Sequence, residues 1–221
     1  MILIYIFIQI SGKTFIISAL KLLLMDKKPR YKLWRDIWRF IWEDDSLLSW
    51  IINVILAFVI IKFLVYPGMG LALGTKFPVV AVVSGSMEHD GNFDQWWQTQ
   101  SDWYSRIGIK KSDFREFPFS DGFNKGEIMV LKGVNFERLK IGDVIVFYSS
   151  TRKEPIIHRV VKLEKKDKFY ITTKGDHNDE TYTFESNIPQ DSILGRALFG
   201  IPYLGYIKIW FVELLSLMHI L

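Results

Sequence analysis

The chain has 221 residues and contains no cysteine. This absence excludes disulfide bonds, thiolate nucleophiles and thiolate metal ligands. Internal repeats and low-complexity tracts are also lacking, and the net charge of +4 is too small to indicate nucleic-acid binding. The length allows one globular core together with membrane anchors.

Positive charge is concentrated in segment 26–46, directly before a long apolar run. This distribution is typical of a cytoplasmic flank, although a solvated helix face is an alternative. Residues 1–25 are hydrophobic but lack the basic start and cleavage site of a signal peptide. Two interpretations of residues 1–25 remain: an extra membrane helix, or sequence upstream of a true start at Met25. The basic residues are Lys27, Lys28, Arg30, Lys32, Arg35 and Arg39.

Residues 47–66 carry a single charge, Lys62, and predict a transmembrane helix that ends at Pro67 and Gly68. The apolar segment 198–221 predicts a second membrane helix, with a helix lying on the interface as the alternative. If segment 26–46 is cytoplasmic, residues 67–197 form an extracytoplasmic domain.

The region between the two apolar segments has the pattern of a mainly β, antiparallel domain. Short β-branched or aromatic runs bounded by turn residues predict the strands 77–83, 127–131, 143–148, 156–163 and 169–173. Segment 89–125 has no strand period and is rich in aromatic residues. It is interpreted either as a lid or membrane-dipping element, or as a small helical unit with its own aromatic core.

A candidate nucleophile lies in Ser84-Gly85-Ser86-Met87, which follows the first predicted strand. A hydroxyl needs a neighbouring base, and His158 stands in the middle of a strand from which it can reach this turn. Imidazole, with an ordinary pKa of about 6.5, suits a general base at neutral pH. Lys162, on the same predicted strand face, is a minor alternative.

The third member of such a site would orient the histidine. Asp176 and Asp179, in the acidic turn Lys174–Asp179, are the two candidates, and both could instead only shape the turn. A metal site from His158, Asp176, His177 and Asp179 is the weakest interpretation, because these residues lack a typical ligand spacing. We therefore expect neither a metal nor a cofactor.

The order of these motifs resembles the type I signal peptidases. Ser-Gly-Ser-Met at 84–87 is followed by a strand histidine, by Lys-Gly-Asp-x-Asn at 174–178 and by Ile-Leu-Gly-Arg-Ala at 193–197. The archaeal and endoplasmic-reticulum branch of this family, in which histidine replaces the bacterial lysine, is the more similar one. The likeness covers about residues 47–205. It departs from the family at Tyr182, where relatives often carry another aspartate.

The resemblance implies a membrane-bound serine endopeptidase that removes signal peptides from exported preproteins. Ser86 would be the nucleophile and His158 the base, with Ser84 and Met87 at the oxyanion and substrate-binding positions. The resemblance also implies the outer face of the cell membrane, contacts with membrane lipids and a protein-export channel, and an archaeal source. The alternatives are a non-catalytic membrane module that binds exported chains, and a membrane serine protease with other substrates.

Overall fold

A computed structural model describes residues 30–149, 151–152, 154–165 and 167–217. The expectations for residues 1–25 therefore lie outside the described part of the chain. The chain divides into two compact units, residues 1–61 and 62–221.

The first unit contains helix α1 (Arg30–Trp42) and most of a long apolar helix. The latter begins as α2 (Leu47–Ile60), where the Ser46 side chain accepts a hydrogen bond from the Ser49 N–H, at 3.2 Å. It continues through a π-helical stretch (Ile61–Val65) into α3 (Tyr66–Leu73). This helix is 27 residues long, from Leu47 to Leu73, and its most apolar 18-residue stretch has a mean hydropathy of 2.5. Within the described ranges it is the one helix long and apolar enough to cross a membrane.

The long helix runs seven residues past its predicted end at Tyr66. Pro67 lies in the first turn of α3, directly after the π-helical stretch. A proline inside a regular helix clashes with the carbonyl four residues earlier, and a π-type turn shifts that carbonyl away. The helix ends instead at Gly74, whose left-handed φ of 66° favours glycine.

The second unit is built on a six-stranded antiparallel sheet, which confirms the mainly β prediction. The strand order is β1-β2-β6-β3-β4-β5, so β1 and β5 are the edges. All five predicted strands are present with adjusted ends, and β6 is an addition. The strands are β1 (Val79–Ala81), β2 (Ile128–Lys132), β3 (Val144–Phe147), β4 (Ile156–Lys165), β5 (Phe169–Lys174) and β6 (Ile193–Ile201).

Strand β6 takes up the start of the segment that was predicted to be a second membrane helix. It lies between β2 and β3, where a Cβ on Gly195 would be only 3.0 Å from the Leu131 side chain and from the Lys132 carbonyl. The helix that follows, α6 (Tyr206–Leu217), has 12 described residues and is about 18 Å long. Within the described residues 198–217, no helix is long and apolar enough to cross a membrane, and residues 218–221 of the predicted second membrane helix lie outside the described part of the chain.

The aromatic segment 89–125 folds into two helices, α4 (Phe93–Arg106) and α5 (Lys111–Arg115). The Asn92 side chain accepts from the Gln95 N–H, and the Asn92 N–H donates to the Gln95 Oε1, so this pair caps the start of α4. A buried aromatic cluster joins the helices to β4 through Val161. Its members are Phe93, Trp96, Trp97, Trp103, Tyr104, Ile109, Phe114 and Val161. Residues 93–115 therefore form a small helical unit with a buried aromatic core that is shared with β4.

Truncation of Phe114 tests this aromatic core. Phe114 is fully buried, so Phe114→Ala leaves a cavity and should lower the free energy of unfolding by about 3–5 kcal/mol. Ile107, in the same segment, is 45% exposed, and Ile107→Ala should cost about 1 kcal/mol or less. Denaturant unfolding in detergent measures both, and equal small losses would contradict a packed core.

Candidate active site

The Ser84–Met87 turn is held above the sheet by its two flanks. Backbone pairing with Glu127 and Gly126 continues one residue past β1, to Val82. Beyond the turn, Met87 is fully buried in the main hydrophobic core, and its carbonyl accepts from the Phe123 N–H at 3.1 Å. The buried residues on both sides fix the loop, so Ser86 is carried on a rigid support.

Ser86 lies within hydrogen-bonding distance of His158. The Ser86 Oγ is 2.9 Å from the His158 Nε2, and the Ser84 Oγ is 3.2 Å from the Ser86 Oγ. His158 is buried on β4, opposite Ile145 of β3. These three side chains, all predicted from the sequence, lie together in the structure.

The carboxylate beside His158 is Glu185. Its Oε1 is hydrogen-bonded to the His158 Nδ1, and its Oε2 accepts from the Tyr182 N–H at 2.7 Å. With Glu185 as a carboxylate that accepts, the imidazole proton is assigned to Nδ1, which leaves Nε2 as the acceptor for the Ser86 hydroxyl. This tautomer is the one that a general base needs.

Glu185 is not among the site residues that the sequence predicted. It ends a single 3-10 turn (Thr183–Glu185) and is fully buried, which is unusual for a glutamate and signals a partner. The one available hint was Tyr182, which stands where relatives often carry an aspartate. Its presence indicated that another acid must take that role. Glu185 lies three residues beyond that position.

Asp176, one of the two predicted acids, faces Arg159 and not His158. Both side chains are fully buried, and the Arg159 Nε and NH2 groups donate to the carboxylate at 2.6–3.2 Å. The other Arg159 donors reach the carbonyls of Pro118, Gly142 and Phe119 at 2.7–2.9 Å, which satisfies the whole guanidinium.

Two residues of the aromatic segment complete the environment of Asp176. The Tyr104 hydroxyl donates to Oδ1 and the His89 Nε2 donates to Oδ2, both at 3.1 Å. His89 also stacks on Trp96 with 3.7 Å between ring centroids. Surrounded by these donors, Asp176 fixes the aromatic segment and β4 to the turn after β5.

The buried charges shift the ionisation of Asp176 and Tyr104. Burial alone would raise the pKa of Asp176, but attraction to Arg159 and the hydrogen bonds from His89 and Arg159 hold it well below its usual range. Burial, together with the adjacent Asp176 charge, raises the pKa of Tyr104 well above its usual value. Asp176 is therefore ionised and Tyr104 is neutral at physiological pH.

The acidic turn also supports the nucleophile directly. The His177 N–H donates to the Ser86 carbonyl at 2.9 Å. A Cβ on Gly175 would lie 2.7 Å from that carbonyl oxygen and 2.9 Å from the His158 Nε2. Lys174, which precedes this glycine, is buried against Trp103 and Tyr104, and burial lowers its pKa to about 8. Only glycine fits at position 175, because the Ser86 carbonyl and the His158 ring leave no space for a Cβ there.

The remaining sequence candidates lie away from the imidazole. Asp179 and His177 are exposed on the turn. Met87 is in the core and does not line the cleft. Lys162 is exposed and paired with Glu164 at 2.9 Å, because a β-bulge between Val160 and Lys162 changes the face on which it lies.

A cleft of about 350 Å³ opens beside Ser86. One wall comes from the end of β1 and the Ser84–Ser86 turn, and the other from the start of β4 and the 3-10 turn that carries Glu185. The lining residues are Ala81, Val83, Ser84, Ser86, Arg152, Glu154, Pro155, Ile156, Ile157, His158, Asn178, Tyr182 and Phe184. A cleft of this kind beside a serine, an imidazole and a carboxylate has the geometry of a serine hydrolase.

The comparisons with known proteins give a more particular likeness. No family model matches the chain. The chain is 26% identical, over 153 residues, to the signal peptidase complex catalytic subunit SEC11C of Homo sapiens and of Canis lupus familiaris. This match covers 66% of the chain and 63% of each relative, so the chain spans less than two thirds of their length.

Fungal relatives agree with this likeness. The signal peptidase complex catalytic subunit SEC11 of Zygosaccharomyces rouxii is 28% identical over 159 residues, or 68% of the chain and 75% of the relative. Together these proteins confirm the resemblance to type I signal peptidases of the endoplasmic-reticulum and archaeal branch.

The acid dependence of stability tests the role of Asp176. Its folded-state pKa is below that of the unfolded chain, so the unfolded state binds more protons in acid. The stabilisation is complete well above the ordinary pKa near 4, begins to decline as the pH falls below about 5, and decreases further as the pH approaches the lower folded-state pKa. Asp176→Asn leaves the Arg159 charge buried and should cost about 3–5 kcal/mol at pH 7.

Denaturant unfolding between pH 7 and pH 3 should show the difference between wild type and Asp176→Asn shrinking with acid. Asp179→Asn, at an exposed position of the same turn, is the matched control and should change little at any pH. A difference that stays constant down to pH 3 would contradict the depressed pKa.

Proposed function

We propose that the chain is a membrane-bound serine endopeptidase that cleaves signal peptides from preproteins. The observation that carries the proposal is the Ser86–His158 contact of 2.9 Å with Glu185 on the far side of the imidazole. The likeness to signal peptidase complex catalytic subunits supports the substrate class.

In the proposed first step, the Ser86 Oγ attacks the carbonyl carbon of the scissile bond and its proton moves to the His158 Nε2. Glu185 stabilises the resulting imidazolium through Nδ1. The tetrahedral intermediate then collapses, the Nε2 proton passes to the leaving amine and an ester to Ser86 remains. Water, activated by the same imidazole, hydrolyses this ester and regenerates the serine.

Negative charge on the substrate oxygen needs donors during both steps. The Ser84 hydroxyl, 3.2 Å from the Ser86 Oγ, and the Ser86 N–H are the proposed donors. Ser84 is assigned to oxyanion stabilisation because its hydroxyl lies beside the Ser86 Oγ. The loss of one such donor typically lowers the rate about 10²–10³-fold.

The substrate would bind as an extended segment along β1. This strand is at an edge of the sheet, and Ala81 and Val83 line the cleft next to Ser86. An added strand gains main-chain hydrogen bonds, while the limited cleft selects side chains. We expect small residues at positions −1 and −3, as the family resemblance implies.

The helix from Leu47 to Leu73 would anchor the enzyme, with the six-stranded sheet and its cleft on the outer face of the cell membrane. Preproteins enter the same bilayer, so anchoring raises their effective concentration at the cleft. Membrane lipids and a protein-export channel are the other proposed partners, and no nucleic acid is involved.

Cleavage of a preprotein in detergent tests the catalytic assignment. Ser86→Ala and His158→Ala should each lower the rate about 10⁴-fold or more, because these residues act as a unit. Glu185→Gln keeps the shape but loses the charge, and should lower kcat on the order of 10⁴-fold. Asp179→Asn is the matched control and should retain activity.

Other outcomes select the alternatives. Equal cleavage by wild type and Ser86→Ala would discard the serine mechanism. Full activity in His158→Ala with loss in Lys162→Ala would indicate a serine–lysine pair. Binding of preprotein without any product, in wild type as in Ser86→Ala, would indicate a non-catalytic module.

Substitution of Gly175 tests the contact between the acidic turn and the site. In Gly175→Ala the new Cβ must push on the Ser86 carbonyl and the His158 Nε2, so kcat should fall at least 100-fold, about 3 kcal/mol. Gly68→Ala, at a helical glycine with open space around it, should leave kcat unchanged. Unchanged kcat in a folded Gly175→Ala variant would contradict the geometry.

A further inference from the structure

Helix α1 has two chemically different sides. At about 100° per residue, its apolar residues fall on one side and its charged residues on the other. The apolar side holds Leu33, Trp34, Ile37, Trp38, Ile41 and Trp42, and the charged side holds Lys32, Arg35, Asp36 and Arg39.

The apolar side of α1 is largely uncovered within its own unit. Trp34, Trp38 and Trp42 are 62–70% exposed, and the Trp38 and Trp42 rings lie 5.6 Å apart. Only Phe40 and Ile41, near the end of the helix, are half-buried. An ordinary water-facing helix exposes only scattered apolar residues. Three exposed tryptophans in a row form a larger apolar patch, which is typical of an interaction surface.

Two polar side chains of α2 fix the end of α1. The Ser49 Oγ donates to the Phe40 carbonyl at 2.6 Å, and the Asn53 Nδ2 donates to the Ile41 carbonyl at 2.9 Å. They satisfy carbonyls that a helix end otherwise leaves unpaired. Ser49 and Asn53 belong to the first two turns of the apolar helix. The end of α1 therefore lies within about 10 Å of the start of the apolar helix.

We propose that α1 lies in the headgroup zone of the bilayer, with its tryptophan side toward the acyl chains. The inference rests on the proposed membrane anchor, because the start of α2 then marks the membrane surface. Indole rings favour this zone, and an amphipathic helix buries its apolar side at the headgroup–acyl boundary. The occupant of the exposed face is therefore lipid.

Charge plays a small part in this interaction. Arg39 is paired with Glu43 at 3.0 Å, and Asp44 and Asp45 follow directly. These acids offset the basic residues of α1, so burial of the aromatic side, and not attraction to anionic lipid, holds the helix at the surface. Vesicles of neutral phosphatidylcholine should therefore be sufficient.

The absence of cysteine allows single labels in the full-length protein. Ile37→Cys and Arg35→Cys, two residues apart and so about 200° apart around α1, receive the same fluorophore in phosphatidylcholine vesicles. At position 37 we expect iodide quenching several-fold weaker than at position 35, and strong quenching by a nitroxide on the lipid headgroup. Equal iodide quenching at both positions would overturn the proposal. Shielding of position 37 from both quenchers would also overturn it, by showing that protein covers the face.

A third label, Val54→Cys, separates this inference from the proposed membrane anchor. Quenching of position 54 by a nitroxide deep in the acyl chains shows that the long helix enters the bilayer. If position 54 is quenched and position 37 is not, only the placement of α1 is wrong. If position 54 is not quenched, the anchor itself fails, and the placement of α1 fails with it.

Discussion

The buried ion pair of Arg159 and Asp176 is the interaction on which the second unit depends. Arg159 follows His158 on β4, and Asp176 lies in the turn whose backbone holds the Ser86 carbonyl. Two buried charges are costly to desolvate, and here every guanidinium donor has an acceptor. The pair therefore fixes the strand of the proposed base relative to the turn that supports the proposed nucleophile.

Two carboxylates near the imidazole have separate roles because their surroundings differ. Asp176 is saturated by Arg159, Tyr104 and His89, so it has no capacity left for His158. Glu185 shares its oxygens between the imidazole and one backbone N–H. The aromatic segment, which supplies Tyr104 and His89, thus acts at a distance from the cleft, by holding Asp176.

Much of the fold follows from local patterns in the sequence. The β-branched runs predicted five strands, and a polar residue in the middle of an apolar strand pointed to His158. Strand β6 was overlooked because its two glycines and its apolar end resemble the entry to a membrane helix, whereas close packing against Leu131 is a tertiary effect. The extent of the long helix depended on the π-helical stretch before Pro67, which no residue pattern reveals.

The candidate site was also predictable only where local sequence patterns define its residues. Ser86 and His158 belong to short motifs with characteristic neighbours, but Glu185 has none and reaches the imidazole only through the folded path of residues 175–185. Asp176 was predicted as a candidate for the acid that orients His158, but in the structure its carboxylate is paired with Arg159, which is recognisable only in retrospect as a charge inside a buried strand. Pairings of buried polar groups are set by tertiary structure, which a single sequence does not encode locally.

The coupling of Glu185 to His158 is tested most directly by a double-mutant cycle on preprotein cleavage. If Glu185 acts only through the imidazole, His158→Ala combined with Glu185→Gln will be no slower than His158→Ala alone. Losses that multiply in the double variant would show that the two residues act independently, and would contradict a triad of Ser86, His158 and Glu185.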